Sequence, residues 1–429
     1  MPGVKLKHLK IHQYRNVRPG TELRFDDGIN LVLGQNGSGK TTLLGLIACV
    51  ASRSLASLEN EAFDLEYTLA NEKHSATIHV RNTFIEKPDE RRSGYEASYE
   101  ASLSQHAPPE AVTLTGTHTS TNVTIDGVST TLPPLSPFHR DYLSENLEQL
   151  DPLPLWAGEA TELLFLDSVF RFDESLDAFL AMTGRPPVSQ TSGTPNTAFL
   201  RITQFGDREA SPRSLNFTPL RLGALVTHAH DSPAGELRVT AGPEGNEDRS
   251  ALNFLVAVAA AMGVREAAWR PLIAQIENPP NGKLRKFDIR GSAFTFTRND
   301  GRTITHDLLS YGQKRLLAFF YYLAATPAYV IADELVNGLH HRWIAACMEA
   351  IGDRQAFLTS QNPLLFEYVE FRSIEQVQSC FITCKSELVD GAEQLVWQNM
   401  SERDARNFFE SYQAGIESPG DILMTRGLW

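Results

Sequence analysis

The chain opens on alternation. Apolar and polar residues exchange places through Val4–Ile11 and Glu22–Phe25, and Ile29–Leu33 is a short apolar run ending at a glycine. A period of two predicts strands for all three. From Gly39 the period lengthens, with Leu43, Leu44, Ile47 and Val50 on one face, which predicts a helix. Ala76–Ile85 alternates again. Between about Lys87 and Pro137 the chain turns to Ser, Thr, Pro and His, and Thr121–Ile125 before Asp126-Gly127 reads as one arm of a hairpin. Glu159–Met182, with Leu163, Leu166, Val169 and Phe170 at helical spacing, and Ala251–Met262 predict helices; Gly184–Pro195 between them reads as a loop. Phe294–Thr297 and Arg302–Thr305 flank Asn299-Asp300-Gly301 as a hairpin. Helix Gly312–Ala325, strand Ala328–Ala332, helix His340–Ile351, strand Ala356–Leu358 and a closing α/β portion follow. Strand–helix alternation of this kind implies an α/β protein with a largely parallel sheet. Neither internal repeats nor sustained heptads are present, so long coiled-coil arms are not expected.

Composition narrows the class. The chain has 429 residues, 42% of them hydrophobic and 21% charged, as in an ordinary globular protein long enough for two or three domains. Its longest apolar runs, Leu43–Val50 and Ala251–Gly263, fall well short of the roughly 18 residues a bilayer span requires. The N-terminal segment lacks the apolar stretch of a signal peptide. Cys49, Cys347, Cys380 and Cys384 are too few for a disulfide scaffold, so reduced thiols and a cytoplasmic location are expected, with no membrane partner.

A net charge of −13 argues against a surface that coats nucleic acid, although a local basic groove would be compatible with it. Lys283, Arg285, Lys286 and Arg290 form one basic cluster; Arg81, Lys87, Arg91 and Arg92 form another. Both read most simply as solvated strand faces. Thr227-His228-Ala229-His230-Asp231 is one residue short of a metal-binding HxHxD sequence and lacks further ligands.

The chemistry lies in three short segments. Gly34-Gln35-Asn36-Gly37-Ser38-Gly39-Lys40-Thr41 satisfies GxxxxGK[ST] between an apolar strand and a helix. Its glycines let the backbone curl so that N–H groups point at phosphates. Lys40 then reaches the β- and γ-phosphates, and the Thr41 hydroxyl ligates Mg²⁺. Asn36, Gly37, Ser38, Gly39, Lys40, Thr41 and Thr42 are therefore the candidate ATP contacts. Val330-Ile331-Ala332-Asp333-Glu334 is a buried strand delivering two acids at its carboxyl end. Asp333 would hold Mg²⁺ together with Thr41, and Glu334 would orient or deprotonate an attacking water. Leu309-Ser310-Tyr311-Gly312-Gln313 opens a helix shortly before that strand, and Ser310 is also a good N-cap residue.

Taken together, these segments resemble the ATP-binding-cassette ATPases of the SMC/RecF/OLD group, including the stand-alone AAA-type members of bacterial anti-phage systems. The resemblance covers about residues 4–85 and 292–385. It implies a P-loop ATPase head with a mixed or parallel sheet, divided as 1–105 and 292–429 around an insert, 106–291, that periodicity makes largely helical. It implies also that Ser310, Gly312 and Gln313 of one subunit touch the nucleotide held by another, in a head-to-tail dimer or higher oligomer. Gln13-Tyr14-Arg15-Asn16-Val17 is similar to the F-R-N element that this group places before its phosphate loop, which makes Arg15 and Asn16 further nucleotide contacts. Asn337-Gly338-Leu339-His340 resembles its D-loop. Thr359-Ser360-Gln361-Asn362-Pro363 corresponds to its switch segment. Three positions depart from the pattern. Gln361 replaces the switch histidine and carries no titratable proton, which suits slow turnover. Tyr311 replaces a glycine, and His340 an aspartate. Gln105 is a weak candidate for the Q-loop.

The expected function is ATP binding and hydrolysis, with catalytic roles for Lys40, Glu334 and Gln361. No nuclease carboxylate cluster follows the ATPase portion, so an anti-phage or genome-maintenance role would need a separate nuclease or effector, with double-stranded DNA as a further candidate partner. The competing reading is an ATP-stabilised scaffold that sequesters an effector with little hydrolysis and no DNA contact. A transporter motor fits less well, since neither the insert nor Asn337–His340 suits it.

Overall fold

The computed structural model describes residues 5–51, 58, 60–70, 74–87, 90–103, 111–117, 120–125, 128–132, 170–171, 199–202, 229, 231–240, 253–277, 286–325 and 329–427. The chain forms two compact units. One comprises Met1–Val169, Ala328–Leu335 and Asp353–Trp429; the other comprises Phe170–Pro327 and Val336–Gly352.

The first unit begins with β1 (Lys5–Tyr14), β2 (Thr21–Arg24) and β3 (Ile29–Leu33), then α1 (Lys40–Ala51). β4 (Phe63–Ala70), β5 (His74–Lys87), β6 (Glu90–Leu103), β7 (Ala111–Thr117), β8 (Ser120–Ile125) and β9 (Val128–Leu132) follow. These strands, apart from β3, build an antiparallel sheet in the order β2-β1-β4-β5-β6-β7-β8-β9. The alternation that predicts the early strands is visible in their burial. Phe63, Leu65, Tyr67 and Leu69 of β4 are buried, and the residues between them are partly exposed.

The chain returns to this unit as β16 (Tyr329–Asp333), β17 (Gln355–Thr359), α5 (Ile374–Cys380), β18 (Phe381–Val389), β19 (Ala392–Asn399), α6 (Glu402–Ala414) and α7 (Pro419–Thr425). A second sheet runs β16-β17-β3-β18-β19, parallel except for β19. Parallel register places Thr359 beside Val32 and Thr383 beside Leu33, so the carboxyl ends of these strands emerge together. Ligands of open α/β sheets bind at that edge. One apolar core joins β1, β4, β5, α1 and the parallel strands through Leu9, Leu65, Tyr67, Leu43, Ile331 and Phe357.

The second unit holds β10 (Phe170–Arg171), β11 (Phe199–Ile202), β12 (Leu237–Thr240), α2 (Asn253–Met262), β13 (Glu266–Glu277), β14 (Lys286–Thr297), β15 (Thr303–Thr305), α3 (Tyr311–Ala325) and α4 (His341–Ile351). Its sheet runs β11-β14-β13-β12, with β15 paired to β14 in the expected hairpin, Phe296 opposite Ile304.

The expected largely helical insert lies for the most part outside the described residues. Described residues within 106–291 form β7 to β13 and the first part of β14 alongside α2. In β7 to β9, Ser and Thr alternate with Val and Leu, which carries a strand period. Phe170 and Arg171, placed in a helix by spacing, are extended. The rest of Glu159–Met182 lies outside the described residues, as do Gly184–Pro195, Gln105, Lys283, Arg285, His228, His230 and the turn Asp126-Gly127. β8 and β9 nonetheless pair with Ile125 opposite Val128, the register that a two-residue turn requires.

Candidate nucleotide site

The phosphate loop leaves β3 and enters α1. Gly34, Gly37 and Gly39 all have positive φ, at 147°, 84° and 84°. Each glycine has its own reason. A Cβ on Gly34 would run into the Cys384 carbonyl of neighbouring β18 and come 2.6 Å from Ser38 Oγ. One on Gly39 would lie 2.7 Å from Leu395 Cδ1, because β19 presses Leu395 and Trp397 against the loop. Gly37 faces open space and supplies only its backbone angle. Gln35, Asn36 and Gly37 form the exposed rim, whereas Ser38 and Lys40 are buried.

Lys40 Nζ donates to the Gly34 and Gln35 carbonyls, 2.8 and 3.0 Å away, so its ammonium lies inside the loop. The buried Ser38 Oγ has no hydrogen-bond partner. A buried hydroxyl without a partner is costly unless a ligand completes it. Beside the loop opens a cleft of about 320 Å³ lined by Gly34, Asn36, Ser38, Thr383, Lys385 and Glu387. That is a small-ligand volume.

A chain of hydrogen bonds ties the loop to the acidic strand and its neighbour. Thr41 Oγ1 donates to Asp333 Oδ2 at 2.6 Å, and Thr359 Oγ1 donates to Asp333 Oδ1 at 2.5 Å. The same Thr359 oxygen accepts from the Glu334 backbone N–H at 2.7 Å. Glu334 has φ 54°, a left-handed conformation that costs a non-glycine residue about 1–3 kcal/mol. Its carboxylate accepts from the Gln361 backbone N–H at 3.2 Å and from Gln361 Nε2 at 3.1 Å. Gln361 Nε2 also donates to Asn36 Oδ1 at 3.2 Å, closing the circuit back to the loop. Thr41, Asp333, Glu334, Gln361 and Asn36 are therefore assembled within one unit. Thr359 is the residue that reasoning from sequence missed. Its only signal was its place at the end of the switch strand.

Arg15 and Asn16, the two further nucleotide contacts that the resemblance implies, hold protein partners in this structure. Arg15, at φ 46°, forms a bidentate pair with Glu61 through Nε at 2.6 Å and Nη2 at 2.5 Å, and lies over the Tyr14 ring. That hydrogen bond raises the guanidinium pKa further. Asn16 is bound to β19: its carbonyl accepts from Leu395 N at 2.8 Å, and its Nδ2 donates to the Glu393 carbonyl at 3.2 Å. Asn16 thereby braces the strand that flanks Gly39, and Arg15 ties the end of β1 to Glu61 ahead of β4.

In the second unit, Ser310 caps α3. Gln313 N donates to Ser310 Oγ at 3.3 Å, and Ser310 N donates to Gln313 Oε1 at 2.9 Å, a reciprocal capping box. The serine hydroxyl accepts there and retains its own proton for an anion. Gly312 is enclosed: an added Cβ would lie 2.6 Å from the Gly338 carbonyl and 2.9 Å from the Trp343 ring. The unexpected Tyr311 packs over Gly338, and its hydroxyl accepts from buried Arg315 at 2.9 Å. His340 caps α4, with Nδ1 accepting from Arg342 N at 3.4 Å.

A family model described as "AAA domain, putative AbiEii toxin, Type IV TA system" matches residues 29–367, well over half of the chain. A DNA replication and repair protein RecF from Psychromonas ingrahamii is 30% identical over 122 residues, which are 26% of this chain and 34% of that protein. The match thus spans about a third of the length of that relative. Similar solved structures include an SMC head bound to the C-terminal winged-helix domain of ScpA, 13% identical with TM-score 0.41, covering 92% of this chain and 98% of that one. The SMC head domain from Thermotoga maritima is 12% identical with TM-score 0.37, covering 92% of this chain and 99% of that one.

Proposed function

This chain belongs to that AAA-domain family and has an ABC-class ATPase fold of the SMC/RecF kind, and on that footing we propose that it binds and hydrolyses Mg·ATP as a nucleotide-gated dimer. The observation that carries the reading is the hydrogen-bonded circuit from Thr41 through Asp333, Thr359, Glu334 and Gln361 to Asn36, laid along the phosphate loop. The glycine cradle, the buried Ser38 hydroxyl and the internal Lys40 ammonium fit a triphosphate. Thr41 and Asp333 supply hard oxygens suited to Mg²⁺, which when bound neutralises phosphate charge as a Lewis acid.

Each residue then has a task. Lys40 exchanges its two carbonyl partners for phosphate oxygens. Glu334, held by Gln361, orients a water and takes its proton. Gln361 Nε2 turns from Asn36 toward the terminal phosphate as a neutral donor, so no proton at this position titrates near neutral pH. Ser310, from the second copy, donates its free hydroxyl proton across the dimer.

The wider role we propose is in DNA-related anti-phage defence or genome maintenance, with a separate nuclease or effector and double-stranded DNA as a partner. Support comes from the family description, with its toxin–antitoxin term, and from RecF's replication and repair function. The net charge of −13 and Gln361 favour a second reading, an ATP-stabilised scaffold that holds an effector protein without touching DNA. Titrating duplex DNA at several salt concentrations separates the two. A phosphate-neutralising groove gives a steep fall of affinity with salt, and a scaffold shows no binding at any salt. For the site itself, calorimetry with Mg·ATP should show binding by the wild type and none by Lys40→Ala. Undiminished binding by the variant would remove the phosphate-loop assignment.

A further inference from the structure

Away from the nucleotide site, three metal-ligating side chains from adjacent strands meet on the outer face of the antiparallel sheet. His12 lies on β1, Asp64 on β4 and His79 on β5, and their ligand atoms all fall within 4.8 Å of one another. His79 Nε2 already contacts Asp64 Oδ1 at 2.7 Å, and the His12 and His79 rings are tilted at 5.7 Å between centroids.

The backbone explains how they converge. In β1 the register shifts between Ile11, opposite Leu65, and Gln13, opposite Asp64, so His12 is the extra residue of a bulge. Bulges re-aim side chains. Here two consecutive positions, His12 and Gln13, stay out of the core between buried Ile11 and Tyr14. On β5, His79 stands opposite Glu66, diagonal to Asp64 across one pair of strands. The carboxylate strand is thus flanked by an imidazole on either side.

We propose that His12, Asp64 and His79 form a binding site for a divalent first-row transition ion of the Zn²⁺ class. Two imidazoles and one carboxylate match the preferences of Zn²⁺, Co²⁺ and Ni²⁺, whereas Mg²⁺ and Ca²⁺ want oxygen ligands. Ligand-to-metal distances of about 2.0–2.2 Å require ligand atoms roughly 3–3.6 Å apart. Small side-chain rotations supply that, since the His79 and Asp64 side chains are 43% and 21% exposed. Water completes the coordination on the open side. Arg81 Nε lies 3.9 Å from Asp64 Oδ2; its side chain is 53% exposed and can swing outward. A bound ion fastens β1, β4 and β5 together just before the Arg15 turn. This site is independent of the ATPase reading.

The test uses untagged full-length protein stripped with a chelator and titrated calorimetrically with ZnCl₂, with CoCl₂ absorption as a second readout. The expected result is one ion per chain, a tetrahedral or five-coordinate Co²⁺ spectrum, no competition from millimolar Mg²⁺ and a thermal midpoint raised by a few degrees. His12→Ala, His79→Ala and Asp64→Asn should each weaken binding at least tenfold with ATP affinity unchanged, and Arg81→Gln should not weaken it. No uptake by the wild type at sub-millimolar Zn²⁺, or uptake that all three ligand variants retain, would overturn the proposal. Should His79→Ala lower the thermal midpoint in chelator while the wild type binds no ion, the cluster is an ion pair alone.

Discussion

At the scale of single residues, the site is governed by what each polar group touches. Thr359 serves two acids at once, donating to Asp333 and accepting from the Glu334 N–H. Thr359→Val keeps the shape and removes both bonds, so unfolding should become easier by about 1–3 kcal/mol; ATP turnover should fall while binding persists. Chemical denaturation and a phosphate-release assay read the two effects separately. Gln361→Ala frees the Glu334 carboxylate from its amide and should lower turnover by on the order of tenfold or more without weakening ATP binding. Burial raises the thiol pKa of Cys347, Cys380 and Cys384, the last to about 12. A raised pKa means the folded state holds its proton more tightly than the unfolded chain. That contribution to stability is complete below the ordinary thiol value of 9.0 and is lost as pH climbs through the folded value. Thermal midpoints should therefore decline from about pH 9 upward, less steeply in Cys384→Ala. At pH 8, iodoacetamide followed by mass spectrometry should label half-buried Cys49 well before the three buried thiols.

Individual elements show why some features are legible in sequence and others are not. The phosphate loop is legible because backbone geometry dictates its residues. Gly34→Ala drives a Cβ into a backbone carbonyl that cannot move away, Gly39→Ala meets a leucine tip that can shift, and Gly37→Ala meets nothing. Loss of thermal stability should therefore rank Gly34→Ala, then Gly39→Ala, then Gly37→Ala, spanning roughly 1 to 4 kcal/mol; a different order would refute the account of the loop. The acidic strand, β17 and the α3 capping box were equally readable from spacing. Arg15 was not, because its partner Glu61 lies between elements with no motif of its own. Tyr311 looked like a defect in the signature until Gly338 and Arg315 supplied the surface it packs on. β6 and β7 were hidden for a different reason. Ser, Thr and Ala on both faces blur the apolar period, and the antiparallel pairing of successive strands reveals them.

For the whole molecule, the phosphate loop, Asp333, Glu334 and Gln361 belong to one compact unit, and Ser310, Gly312 and the Asn337–His340 element belong to the other. Among the described residues no helix is long and apolar enough to cross a membrane. In the proposed dimer, one copy contributes the loop and the other the capped serine. The most direct test is the mass in solution of Glu334→Gln with Mg·ATP, measured by light scattering on a sizing column. The account predicts a dimer with ATP, a monomer without it, and a monomer again when Ser310→Ala is added, although that double variant still binds ATP. A monomer at saturating ATP, or a dimer indifferent to Ser310, would contradict it.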